Sequence, residues 1–342
     1  MRLMGRRTQA VENAAFGLAG HGAERPQPRP APGWMTWAPS AAIAWALAYG
    51  SVRIWWAIGE APSPPPLGSD LIAFTGWAAV GLCAAAAGIT FALKRAPWLW
   101  RLFVVAWGVS ATLLAASAVL LLDVVGGLFP GLGVEFHPVA FLSRAAGLSG
   151  AVLVAANAVA YRRRWRSPCL FCGRAEGRAR PAQPPRWAWW AAYAAVAGCV
   201  VRLLAQVAVG FGSMLAESGG SALGFEAGFV LAGTLLPLAL VHRWGRVVPR
   251  WVPLLAGRRV PRWLLLGPAF AVAGGMTAYF GFSLVKLAIE TVSGTWDEGD
   301  GSLSLAFFWV AVPAYLIWGL GLGAAALGYF QVTRRRCRAC GR

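Results

Sequence analysis

The sequence predicts an all-α, polytopic membrane protein of eight transmembrane helices, built as two parallel four-helix repeats. Three observations lead there. Only 13% of the 342 residues are charged and 58% are hydrophobic, whereas soluble domains carry about 25% charged residues. Apolar runs of about 20 residues, the length that crosses a bilayer as a helix, recur along the chain. Basic residues fall in alternate connections between those runs.

In order, residues 1–36 carry Pro26, Pro28, Pro30, Pro32 and scattered arginines around one short apolar stretch, AAFGLAG. They read as a disordered cytoplasmic tail. The next apolar run is too long for a secretory signal and is read as a first span. The spans are Ser40 to Gly59, Leu71 to Leu93, Leu102 to Leu122 and Pro138 to Tyr161 in the first half. Trp187 to Phe211, Ala222 to Val241, Trp263 to Ile289 and Ser304 to Val332 follow in the second.

A net charge of +18 could indicate nucleic acid, so the placement of the charges decides. Basic residues crowd into the tail, Lys94 to Arg101, Arg162 to Arg186, the connection after the sixth span, and the C-terminal segment. The opposite connections hold none of them and most of the acids. That alternation is the positive-inside pattern: both termini are expected in the cytoplasm of a cell whose inner (plasma) membrane the chain crosses, with no nucleic-acid partner.

The chain also repeats itself. AANAVAYRRRWRSPCLFCGR (155–174) aligns without a gap on GAAALGYFQVTRRRCRACGR (323–342), setting Tyr161 on Tyr329, Cys169 on Cys337 and Cys172 on Cys340. Near the starts, Arg53 aligns with Arg202, and Asp70 and Glu226 open the second helices. The expected units are a repeat over 37–174 ending in C-x-x-C-G, a cytoplasmic linker over 175–186, and a second repeat over 187–342 with the same ending. The second unit is longer mainly through RVVPRWVPLLAGRRVPRW (246–263), which reads as an interfacial stretch. Four spans per unit put both halves into the membrane in the same sense, related about its normal.

YGSVRIWWAIGE (49–60) and, less closely, VHRWGRVVPRW (241–251) resemble segments of uncharacterised four-helix integral membrane proteins of actinobacteria. The resemblance implies the four-helix architecture, here as a fused tandem, and implies no activity.

Cysteine pairs spaced C-x-x-C-G wrap around one metal ion and fill two of its positions, so Cys169, Cys172, Cys337 and Cys340 make one complete four-cysteine zinc site if the halves bring them together. The same spacing also serves thiol redox chemistry, and inert cysteines are the third reading. Arg53, Arg144, Arg202 and Lys286 lie inside spans. Either they snorkel to the outer interface, or Arg53 with Glu60 or Asp70, and Arg202 with Glu217 or Glu226, form repeated charge pairs in the outer leaflet. His137 beside Glu135 and near Asp123 could suggest a base or a metal ligand, though a solvated loop histidine explains it. Pro237 and Gly274–Gly275 could break their helices, as transporters do. G-x-S-x-G, H-E-x-x-H and G-x-x-x-x-G-K-[ST] are absent, which weighs against an enzyme. The expectation is a scaffold or accessory protein whose basic face meets anionic lipids or a protein partner. The alternatives are a small-molecule or lipid transporter and a membrane thiol oxidoreductase.

Overall fold

A computed structural model of the chain describes residues 31–59, 75–129, 135–167, 169–173, 181, 183–209, 220–248, 256–296, 303–334, 337 and 340. Among these the architecture is all-α. In chain order the helices are α1 (Gly33–Ile58), α2 (Gly76–Arg95), α3 (Trp100–Ala116), α4 (Leu120–Leu128), α5 (Pro138–Arg166), α6 (Arg186–Ala208), α7 (Gly220–Val241), α8 (Arg262–Ser293) and α9 (Leu305–Thr333). With α3 and α4 sharing the third crossing, 8 stretches are long and apolar enough to span a membrane.

Local chemistry sets the ends. α1 begins at Gly33, earlier than the expected Ser40, because Pro32 can close a first turn and accepts from Met35 N at 2.8 Å. Its early turns are packed, with Met35 and Ala38 buried and Trp34 beneath the Arg163 guanidinium. The segment read as tail therefore turns helical at Gly33, while residues 1–30 and most of the 175–186 linker lie outside the described residues. α2 stops at Arg95 ahead of Pro97, whose ring disfavours helix in the residue before it. α5 starts on Pro138, where a missing N–H costs nothing, and ends in Arg163, Arg164 and Arg166, which suit the negative end of its dipole.

The third span departs from expectation. Leu102 to Leu122 is not continuous: the chain breaks at Ser117–Val119, with Ser117 Oγ donating to Leu113 O at 2.9 Å. α5 passes so close here that a Cβ on Gly147 would lie 2.5 Å from Ser117 Oγ. Conversely, α7 runs through Pro237 and α8 through Gly274–Gly275 without interruption. Gly275 admits Leu121 of α4, whose Cβ would stand 3.3 Å from an added Cβ, so this glycine serves close approach and not a break. The 246–263 stretch begins and ends in a small antiparallel closure, with Val247 bridged to Arg259 and Val248 N donating to Arg258 O at 3.0 Å.

Each half has its own core. In the first, Ala86, Leu113, Val154 and Tyr161 are buried together; in the second, Ala192, Cys199, Trp318 and Tyr329. α1 packs on α2 and α5, and α3 on α2 and α5; likewise α6 packs on α7 and α9, and α8 on α7 and α9. The halves meet where α8 lies against α3 and α4.

The most extensive helix pairing among the described residues, α6 with α9, is built from small residues. A Cβ on Gly321 would sit 2.6 Å from Ala191 O and 2.9 Å from Ala195 N, both backbone atoms that cannot swing aside. Gly321→Val is therefore expected to destabilise the second half by about 1–3 kcal/mol, read as a lowered thermal midpoint of the purified protein. An unchanged midpoint would contradict this packing.

Candidate metal centre

Sequence spacing makes each cysteine turn, and the helices α5 and α9 deliver them. After Arg166 the chain leaves α5 and folds back through Cys169 to Gly173, with Gly173 N donating to Cys169 O at 2.8 Å. Gly173 has φ +64°, a left-handed conformation natural to glycine, which explains the residue that follows the second cysteine. From the end of α9 come Cys337 and Cys340.

All four sulfurs lie within 4.8 Å of one another. Cys169 Sγ is 4.0 Å from Cys337 Sγ, and Cys172 Sγ is 3.6 Å from Cys340 Sγ, each pair 168 residues apart in sequence. A tetrahedron of thiolates at about 2.3 Å from zinc has sulfurs about 3.8 Å apart, so the cluster has the size of a single-ion site. The four are free thiols, and Cys172 is buried. Burial alone would push the Cys169 thiol up, but the backbone N–H groups of Cys172 and Phe171 and the thiols of Cys172 and Cys340 outweigh it. The net effect holds Cys169 below its ordinary value. Amides aimed at sulfur favour thiolate, the form a metal binds.

Arginines buttress the first turn. Arg163 Nη1 donates to Phe171 O at 3.1 Å, and Arg334 Nη2, from the second half, donates to Cys172 O at 2.8 Å in the first. The sequence placed arginines beside both turns, but not their bonds across the halves.

Eight residues before the first cysteine of each pair, a buried tyrosine pins the connection between the second and third spans of its half. Tyr161 Oη donates to Pro97 O and accepts from Leu99 N at 2.6 Å; Tyr329 Oη donates to Gly245 O at 3.0 Å. These aligned tyrosines had no role assigned from sequence.

The arginines inside the spans, Arg53, Arg144 and Arg202, are packed among helices. Arg202 is 2% exposed: Nη1 and Nη2 donate to the two carboxylate oxygens of Glu226, the latter at 2.8 Å, and Nε donates to Tyr315 Oη at 2.6 Å. Arg53 is also buried, its Nη2 donating to Tyr49 Oη at 2.6 Å and to Ser143 Oγ at 2.9 Å. Snorkelling does not describe either residue. Asp70, Glu60 and Glu217, the other expected partners, lie outside the described residues. Arg144 binds Asp123 at 2.6 Å, with the Asp123 side chain fully buried. Asp123 thus pairs with Arg144, while His137 Nε2 is 3.3 Å from Glu135. Lys286 pairs with Glu290 at 3.5 Å on the half-exposed face of α8. His242 stacks edge-on against Trp189, with ring centroids 4.8 Å apart.

No family model, curated protein or solved structure matches the chain.

Proposed function

We propose that this chain is a plasma-membrane scaffold or accessory protein, two fused four-helix units clasped by one zinc ion on Cys169, Cys172, Cys337 and Cys340. The observation that carries the reading is the convergence of four thiols from two turns 168 residues apart. Four thiolates complete the coordination of zinc and leave no open position, which makes the ion a clasp and not a reaction centre. A thiol oxidoreductase is less well supported, because one dithiol suffices for exchange and two are gathered here.

Duplication is supported by shared construction. Both halves pair their four spans in the same pattern. Tyr161 and Tyr329 make the same tether. The first and second spans also cross at a glycine facing a cysteine in each half, with the roles exchanged: Gly50 against Cys83, then Cys199 against Gly233. Third span meeting third span, α3 and α4 against α8, suits an axis along the membrane normal. The alternation of the basic connections supports a cytoplasmic position for the zinc clasp and both termini, facing anionic lipid.

A lipid transporter is the second reading, favoured by an open apolar groove of about 670 Å³ between α3, α8 and α9, lined by residues such as Leu114, Gly274, Phe282 and Leu327. The test of the first reading is metal analysis of the full chain purified without chelator. About one zinc per chain is expected, and absence of stoichiometric zinc would overturn the clasp.

A further inference from the structure

We infer that the first half carries a binding site for the phosphate headgroup of an anionic glycerophospholipid, in the cavity between the end of α5 and the start of α3. The cavity measures about 950 Å³ and opens at the basic end of the bundle, bounded on one side by the Gly173 corner of the cysteine turn. This is the size range of small-ligand sites.

Its walls are of two kinds. Arg162 and Arg166 supply guanidiniums, the side chains best matched to a phosphate diester through paired N–H donors. Trp98, Trp100 and Trp165 supply indole faces, and tryptophan is the side chain that settles where hydrocarbon gives way to headgroups. Among the described residues that line it there is no carboxylate. Part of the frame is held before any ligand arrives. Trp98 stacks on Tyr161 with centroids 5.1 Å apart, Arg166 sits over the Trp98 ring at 5.7 Å, and Tyr161 is tied by its hydroxyl to the loop carrying Trp98.

Comparison of the halves separates this site from a generally basic surface. In the alignment that sets Tyr161 on Tyr329, Arg162 falls on Phe330 and Trp165 on Thr333, while Arg166 falls on Arg334. Arg334 is committed elsewhere, to Cys172 O and the Phe330 ring. At the positions aligned with Arg162 and Trp165 the second half thus carries neither a guanidinium nor an indole, while it keeps the tyrosine tether. A phosphate with acyl chains suits its position: the headgroup meets the arginines while the chains continue into the bilayer beside α3.

The inference rests on the membrane reading and on the basic end facing anionic lipid, and not on zinc. The test is native mass spectrometry of the full chain in detergent, titrated with phosphatidylglycerol, with zinc content measured on the same samples. Wild type is expected to retain one phosphatidylglycerol, and Arg162→Gln with Arg166→Gln to weaken it about thirtyfold. Arg258→Gln with Arg259→Gln removes the same charge from another basic connection and is expected to change affinity less than about twofold. Equal losses from the two double variants would overturn the site in favour of diffuse attraction. Displacement of the lipid by equimolar inorganic phosphate would overturn the lipid assignment. Trp165→Phe, which keeps an aromatic wall and both charges, is expected to retain the lipid; loss of binding with Trp165→Phe but not with the arginine variants would also overturn it. Lipid retention in wild type that lacks zinc would sink the clasp and leave this site standing.

Discussion

Cys340→Ser is expected to abolish zinc retention and to uncouple the two halves while leaving the helices formed. Three thiolates and a hydroxyl do not complete the tetrahedron, and structural zinc in small domains contributes about 10–16 kcal/mol of apparent binding energy. That is comparable with the whole stability of a typical domain, about 5–15 kcal/mol. Ala86, Val154 and their neighbours hold the first core, and Ala192, Trp318 and theirs the second, so neither depends on the clasp for its own packing. Metal content should fall from about one per chain to below about a tenth. The thermal midpoint should drop by more than about 5 °C, and the far-ultraviolet helical signal should stay unchanged. Cys169→Ser should match it. Cys83→Ser removes a buried thiol from α2 and should keep the metal. Full zinc in Cys340→Ser would show that the fourth thiol is not a ligand.

The second large effect belongs to Glu226→Gln. Arg202 is fixed by both carboxylate oxygens of Glu226 and by the Tyr315 hydroxyl, drawing α6, α7 and α9 together around one guanidinium. Removing one partner of a buried pair leaves an uncompensated charge at a cost of about 3–5 kcal/mol. The cost should be visible as a strongly lowered thermal midpoint in detergent. The double variant Arg202→Met with Glu226→Met removes both charges, and replacing a buried pair by apolar groups is often neutral or stabilising; most of the loss should return. If Glu226→Gln shifted stability by less than about 1 kcal/mol, the pair would be behaving as a surface contact, contrary to its burial.

Several features were legible from residues alone for identifiable reasons. The spans are visible because hydrocarbon admits only long apolar helices. Cys169 with Cys172, and Cys337 with Cys340, are visible as pairs because the turn that presents two sulfurs to one ion is local. The alignment of Tyr161 with Tyr329 anticipated two equivalent positions, and the shared tether supplies their role. The break at Ser117–Val119 was not legible: one serine in an apolar run is ordinary within a span, and only the structure brings Gly147 of α5 against it. Sequence sets Asp123 near His137 without revealing its partners, and α4, which starts after that break, carries it to Arg144. Arg53 and Arg202 were open between snorkelling and pairing, because depth in a span does not reveal which way a side chain turns.

The sequence by itself determined the class of the protein, its number of crossings, the alternation of its basic connections and the cysteine pairs. Each is a property of short segments against their solvent, or of charge counted segment by segment. The tertiary structure alone decided which faces of the helices meet, where the third span bends, and that two distant cysteine turns close into one cluster. In water a helix reveals its buried face by contrast with its polar one. In a bilayer the lipid-facing and protein-facing sides are both apolar, and helices associate through close packing and a few polar contacts, so the pattern that would announce the contacts is not written along the chain.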